Sequence, residues 1–157
     1  MIQIKRTYDA PTRGDGRRIL VERLWPRGMK KEDLAADEWR KEVAPSTALR
    51  KAFGHRVERW DEFQRQYRAE LDANPAGWEP ILAASRVGAV TLLYSAHDTL
   101  HNGALVLRDY LAEHTQTRRR SSGRAAQGSE RRRSGRSPSQ RTAVPRRPGA
   151  DAPRPGR

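Results

Sequence analysis

The apolar positions at the start of the chain follow a period of two. Ile2 and Ile4 alternate with Gln3 and Lys5, the signature of a half-buried strand. Asp9-Ala10-Pro11 and Gly14-Asp15-Gly16 supply the turn residues that end it. A second strand is predicted over residues 18–24, where Ile19, Leu20, Val21 and Leu24 fall on both faces, as in a strand covered on both sides. Pro26 has no amide to donate, so pairing should stop there. Residues 30–43 are charged, with Leu34, Trp39 and Val43 as apolar points, and read as short helical turns. Ser46 is placed to cap a helix that runs to Phe53 and ends at Gly54. From Val57 to Ala73 the pattern sharpens. Trp60, Phe63, Tyr67 and Leu71 recur at three- and four-residue steps, one face of an amphipathic helix that Asn74-Pro75 closes. A further helix is expected over Ala76–Ser85, burying Trp78, Ile81 and Leu82. Ala89–Ser95 is short, apolar and β-branched, suited to the centre of a sheet. A polar loop, Ala96–Gly103, leads into helical spacing through Ala104, Leu107 and Leu111. Strands interspersed with helices predict an α/β fold: one small domain with a short, mostly parallel sheet flanked by helices.

After His114 this patterning stops. Residues 115–157 hold one large aliphatic side chain, Val144, and no aromatics. Such a segment buries too little apolar surface to offset its ordering entropy, so a disordered tail is expected, with the globular domain over 1–114. The charge divides at the same place. The formal net charge is +13, yet residues 115–157 carry 13 Arg against Glu130 and Asp151, a net +11, which leaves +2 for residues 1–114. The basic character belongs to the tail. There is no cysteine, which excludes disulfides, zinc-thiolate sites and thiol nucleophiles. No apolar run approaches the roughly 18–20 residues that cross a bilayer. The N-terminus reads as a strand rather than a leader, and a cytoplasmic protein with no membrane partner is expected.

Two polar clusters follow predicted strands. Arg23 and Arg27 flank Trp25-Pro26 at the end of the second strand. In open α/β sheets ligands collect at that edge, and guanidinium groups grip phosphate or carboxylate with paired hydrogen bonds. The structural alternative is that Arg23 pairs with an internal carboxylate such as Asp37, and that Trp25 packs as core. His97, Asp98, His101 and Asn102 follow the third predicted strand. Imidazole titrates near neutrality and could move protons. Two histidines four apart share a face only on a helix, and Thr99-Leu100 before Asn102-Gly103 reads as a loop, so metal binding is not expected. The plainer alternative is a loop whose Asp or Asn caps the last helix. Ser46 lacks a G-x-S-x-G elbow and reads as a cap rather than a nucleophile. His55, beside Gly54, reads as a helix-end residue.

The blocks KRTYD, GRRILVERLWPRG, DEWRKEVAPSTALRKAFGH, the spaced Trp60, Phe63, Tyr67 and Glu70-Leu71, and VTLLYSAHDTLHNGALVL occur in that order. Over about residues 2–112 they resemble the DUF488 family, in its small YeaO-like branch. The matching positions include Lys5, Arg6, Tyr8, Arg23, Trp25, Pro26, Arg27, Gly28, Ser46, Arg50, His55, Tyr94, His101 and Asn102. The resemblance implies a compact bacterial α/β domain and carries no established activity. Glu22 stands where the branch usually has Asp, and Gly103 where His or Ala is expected. Leu100-His101-Asn102 replaces the Cys-His-Arg element of the larger branch, so thiol chemistry is ruled out here. The tail lies outside the resemblance.

These observations frame an anion-binding domain for a phosphate, nucleotide or carboxylate, with or without turnover. Arg6, Arg23, Trp25, Arg27 and His97 would bind the ligand, and His101 with Asn102 would orient it or transfer a proton. The residues leave any cofactor unidentified, and no metal is expected. A reading from another class is a nucleic-acid-associated protein, whose tail neutralises phosphates without sequence preference. Without aromatics to stack on bases, that tail would discriminate poorly. A third reading makes the tail an incidental extension.

Overall fold

The segment that the sequence marks as a central strand is the axis of the sheet. In the computed structural model, which describes residues 1–130 and side chains through 116, Val90–Tyr94 (β4) is buried at all five positions. Ile2–Arg6 (β1) pairs parallel with it on one side and Arg17–Leu20 (β2) on the other. Glu38–Trp39 (β3) adds a short parallel edge, giving the order β1-β4-β2-β3. Ile4 and Ile19 both sit level with Leu92, so one face of the sheet is apolar across three strands.

That face carries the main core. Thr47–Phe53 (α2), Trp60–Asp72 (α3), Pro75–Val87 (α4) and Gly103–Glu130 (α5) turn Leu49, Phe63, Tyr67, Ile81, Leu107 and Leu111 onto Ile19, Leu92 and Tyr94. The expected helices are present with small shifts. Ser46 Oγ accepts from Leu49 N at 3.1 Å and Gly54 closes α2 in the left-handed region. Val57–Arg59 forms a 3-10 turn, so α3 starts at Trp60 rather than Val57. The hydroxyl of Tyr67 donates to Val43 O at 2.8 Å inside this core, and burial pushes its ionisation well above the ordinary tyrosine value.

The opposite face is covered differently. Leu20 and Leu93 meet Leu34 of the short helix Lys31–Leu34 (α1), with Trp25, Met29 and Ala36 around them. Beside this small cluster lies a buried polar network. Asp15 is 3% and Arg18 5% exposed, and the two form an ion pair. Lys5 Nζ reaches the same carboxylate at 3.0 Å, and Thr12 donates to it through Oγ1 at 2.5 Å and N at 3.2 Å. Burial alone would raise the Asp15 carboxyl, but the donors from Thr12, Lys5 and Arg18 outweigh it and hold the group far below the ordinary carboxylate range. Arg18 also donates to Ala35 O and Leu34 O, both at 3.0 Å, which fastens α1 to the sheet. Thr91 Oγ1 donates to Asp15 O at 2.6 Å.

Two expectations need correction. The second strand ends at Leu20, not at residue 24: Val21 N still reaches Leu93 O at 3.2 Å, but Glu22 and Arg23 are then drawn away from the ladder. β3 was not expected at all. It is held by its position, with Asp37 N on Arg18 O at 2.8 Å and Arg40 N on Leu20 O at 2.9 Å. Contacts divide the chain into Met1–Ser121 and Ser122–Arg157, and the sheet, core and cavity belong to the first. α5 passes the expected boundary after residue 114 and extends to Glu130, with Ser121, Ser122, Gly123 and Gly128 inside it. Of the tail expected over 115–157, residues 131–157 lie outside the described residues. Among the described residues no helix is long and apolar enough to cross a membrane.

Candidate functional site

All four strands point the same way, so their carboxyl ends share one edge, and the loops leaving β2 and β4 rise side by side there. Between these loops, α2 and the start of α5 is a cavity of about 450 Å3. It lies where open parallel sheets hold ligands, within the size range of small-molecule sites.

The β2 loop contributes Glu22 and Arg23. Glu22 Oε1 accepts from Ser95 N at 3.1 Å, tying the two strand-end loops together. No partner is found for Glu22 Oε2 among the described residues. Arg23 donates from Nε to Pro45 O at 3.0 Å and from Nη2 to Ala44 O at 2.9 Å. Its guanidinium therefore latches the loop before α2. It does not pair with Asp37, whose carboxylate instead accepts from Arg18 N at 2.7 Å.

The β4 loop contributes His97, Asp98, His101 and Asn102. Asp98 Oδ1 accepts from Leu100 N at 2.8 Å and His101 N at 3.0 Å, while Oδ2 meets His101 Nδ1 at 2.8 Å. These donors, Leu100 N first and then the His101 ring, lower the Asp98 carboxyl below its ordinary value. A carboxylate only accepts, so Nδ1 carries the proton of that bond. The Trp60 ring stands edge-on to His101 at 5.2 Å, and the His101 side chain stays 24% exposed. Asn102 is buried with both ends of its amide engaged: Oδ1 accepts from Leu105 N at 3.0 Å, and Nδ2 donates to Asp98 O at 3.1 Å. It caps α5, the plainer of the two roles its sequence position suggested.

The structure brings Arg23, His97, His101 and Asn102 to one cavity. Arg6 stands behind it, with Nε on Ala96 O at 3.1 Å and Nη2 near His97 Nδ1 at 3.3 Å. Trp25 and Arg27 do not join them. Trp25 packs against the Leu20, Leu34 and Leu93 cluster on the other face of the sheet, its Nε1 donating to Met29 O at 2.7 Å. Arg27 is exposed and lines no part of the cavity; its carbonyl accepts from Tyr8 Oη at 3.3 Å. Once Leu20 and Leu34 capture Trp25, the whole WPRG turn follows it away from His101.

Two cavity residues were not singled out from the sequence as ligand groups. Arg50 and His55 come from α2 and the residue beyond its Gly54 cap. Arg50 has no side-chain hydrogen-bond or ion-pair partner among the described residues. His55 holds a left-handed backbone, φ 57°, with its ring 5.9 Å from Phe53. The available signal was the three-residue step from Arg50 to Phe53, which sets a cation at the edge of the buried stripe. Among the described residues no cluster of three or more His, Asp or Glu is arranged to hold a metal ion.

The family model described as the inactive DUF488-N3 subclade matches residues 1–130. The uncharacterised protein YeaO of Escherichia coli (strain K12) is 52% identical over 110 residues, covering 70% of this chain and 96% of that protein. The uncharacterised protein Rv3073c of Mycobacterium tuberculosis (strain H37Rv) is 41% identical over 75 residues, covering 48% of this chain and 64% of its own length. No solved structure matches. The chain belongs to the DUF488 family, in its YeaO-like branch.

Proposed function

We propose that the domain binds a small anion, a phosphate or carboxylate group, in the cavity at the carboxyl ends of β2 and β4. The observation that carries this reading is Arg50: a guanidinium on the cavity wall with no partner of its own among the described residues. Arg23, lining the same cavity, is committed to the carbonyls of Ala44 and Pro45. His55, His97 and His101 line the cavity as well, and the first turn of α5 reaches it through Gly103 and Ala104. A ring N–H of His55 or His97 and the positive end of a long helix both favour an anion, while the Nδ1 proton of His101 is already given to Asp98. The carboxylates of Glu22 and Asp98 are each tied by backbone donors. The matching subclade is described as inactive, which supports binding without turnover. His101 then orients the ligand rather than transferring its proton.

The test is isothermal titration of the full chain with inorganic phosphate, pyrophosphate and small carboxylates, beside Arg50→Ala. Charge-assisted hydrogen bonds are worth about 1.5–3 kcal/mol, so this variant should lose roughly ten- to a hundredfold in affinity. Arg27→Ala, off the cavity, should bind as the parent does. Equal binding by the parent and Arg50→Ala would refute the assignment. Non-specific nucleic-acid binding through residues 115–157 is the alternative; it rests on their arginine content and on no part of the cavity.

A further inference from the structure

The cavity wall also carries a half-engaged carboxylate, opposite in sign to Arg50. Glu22 gives Oε1 to Ser95 N at 3.1 Å, and its Oε2 has no partner among the described residues. Glu22 and Arg50 line the same cavity and do not pair with each other. A free cation and a free acceptor in one pocket that do not neutralise each other are matched by one molecule bearing both complements. The same cavity has aromatic and apolar walls beside its polar groups. Phe53 and Phe63 line the cavity with ring centroids 4.6 Å apart, and Trp60 stacks on Phe63 at 5.6 Å while meeting His101 edge-on. Val21, Ala44, Pro45, Ala96 and Ala104 complete the apolar lining. At about 450 Å3 the space is far larger than a bare phosphate or acetate, and apolar walls with few convergent polar groups are the usual make-up of a small-molecule pocket.

We propose that the occupant is a flat, ring-bearing molecule with two functions: an anionic group held by Arg50 and an N–H donor received by Glu22. This rests on the anion-binding reading and specifies what the anion is attached to. Two chemical sources meet the description, an amino-substituted aromatic carboxylate and a mononucleotide whose base carries an amino group. The pocket recognises what they share.

The experiment titrates the full chain with two matched sets. One is 4-aminobenzoate against benzoate and aniline; the other is cytidine 5′-monophosphate against ribose 5-phosphate and cytidine. The bifunctional member of at least one set should bind roughly ten- to a hundredfold tighter than either of its halves, and which set does so identifies the source. Glu22→Gln keeps an Oε1 acceptor for Ser95 N and removes the charge. It should erase that advantage while benzoate or ribose 5-phosphate binds at least as tightly as to the parent, because a negative charge has left the cavity, with a thermal melt confirming an intact fold. If ring-free or amine-free anions bind as tightly as the bifunctional ligands, or if Glu22→Gln keeps the discrimination, this inference falls and the anion site stands. If none of these anions binds, the anion site falls with it.

Discussion

Asp15→Asn isolates the buried network on the loop-covered face of the sheet, because it removes one charge and almost no volume. In the parent, one carboxylate faces two cations: Arg18, in direct ion pairing, and Lys5 at 3.0 Å. Both Asp15 and Arg18 are almost fully buried. Removing one partner of a buried pair costs about 3–5 kcal/mol, since the remaining charge stays uncompensated. Here that charge is doubled, with Lys5 and Arg18 left facing each other, so the upper half of the range applies. Asparagine retains one oxygen, enough for one of the two Thr12 donors, and Arg18 keeps its carbonyls at Leu34 and Ala35. For a domain of this size the loss lowers Tm by about 10–20 °C. The assay is urea unfolding of the full chain across pH. The folded Asp15 carboxyl lies below its unfolded value, so its contribution is complete above the unfolded carboxyl value of about 3.9. It fades only as pH falls below that, towards the depressed folded value. The gap between parent and variant should therefore be constant from about pH 5 to 8 and close in stronger acid. A cost under about 1 kcal/mol at pH 7, or a gap unchanged in acid, would refute the account.

The remaining predictions concern the backbone at two turns. Gly16 sits at φ 59°, and a Cβ there would come within 2.1 Å of Ala89 O, the acceptor of Arg17 N; Gly16→Ala should cost at least about 2 kcal/mol in urea unfolding, and a neutral result would mean that β2 enters the sheet with slack. Asn102→Ala removes the acceptor for Leu105 N and the donor to Asp98 O and should cost at least about 1 kcal/mol, while Asn102→Asp restores the cap alone and should recover only part of it. Equal stability of all three proteins by thermal melting would show that α5 starts without help from this side chain.

What was legible in the chain depended on how local its cause was. β4, α2 and α3 announce themselves, because burial on both faces, a serine cap with a closing glycine, and a three-four stripe are each written in contiguous residues. β3 is not legible: two exposed or half-buried residues have no periodicity, and they pair only because Arg18 and Leu20 offer carbonyls to the flanking amides. Arg18 misleads for a related reason. A charge alternating with Ile19 in a strand suggests a solvent face, yet Asp15, three residues earlier, lets that face be covered. In the cavity, His97, His101 and Arg23 could be found because they lie in the loops that leave β4 and β2. Arg50 and His55 could not, because α2 reaches the strand ends only through tertiary packing of Leu49 and Phe53 into the shared core.

Arginine content around the strand ends is, by itself, weak evidence for a ligand site in this fold. Arg6 donates to Ala96 O, Arg18 to Leu34 O and Ala35 O, and Arg23 to Ala44 O and Pro45 O. Arg6 and Arg18 strap neighbouring segments to the sheet and Arg23 joins two loops, each using the planar fork that makes arginine suited to several acceptors at once. The loops are fixed by these side chains because few other groups are available: α1 has four residues, β3 two, and the segments between them have no regular ladder. A rigid rim follows, and a rigid rim lets a pocket keep a charge unpaired without collapsing onto it. Arg50 is the cavity arginine left outside this strapping, and Glu22 keeps one oxygen outside it. The scaffold arginines and the binding arginine are thus told apart by where their donors go, which neither charge nor position along the chain reveals.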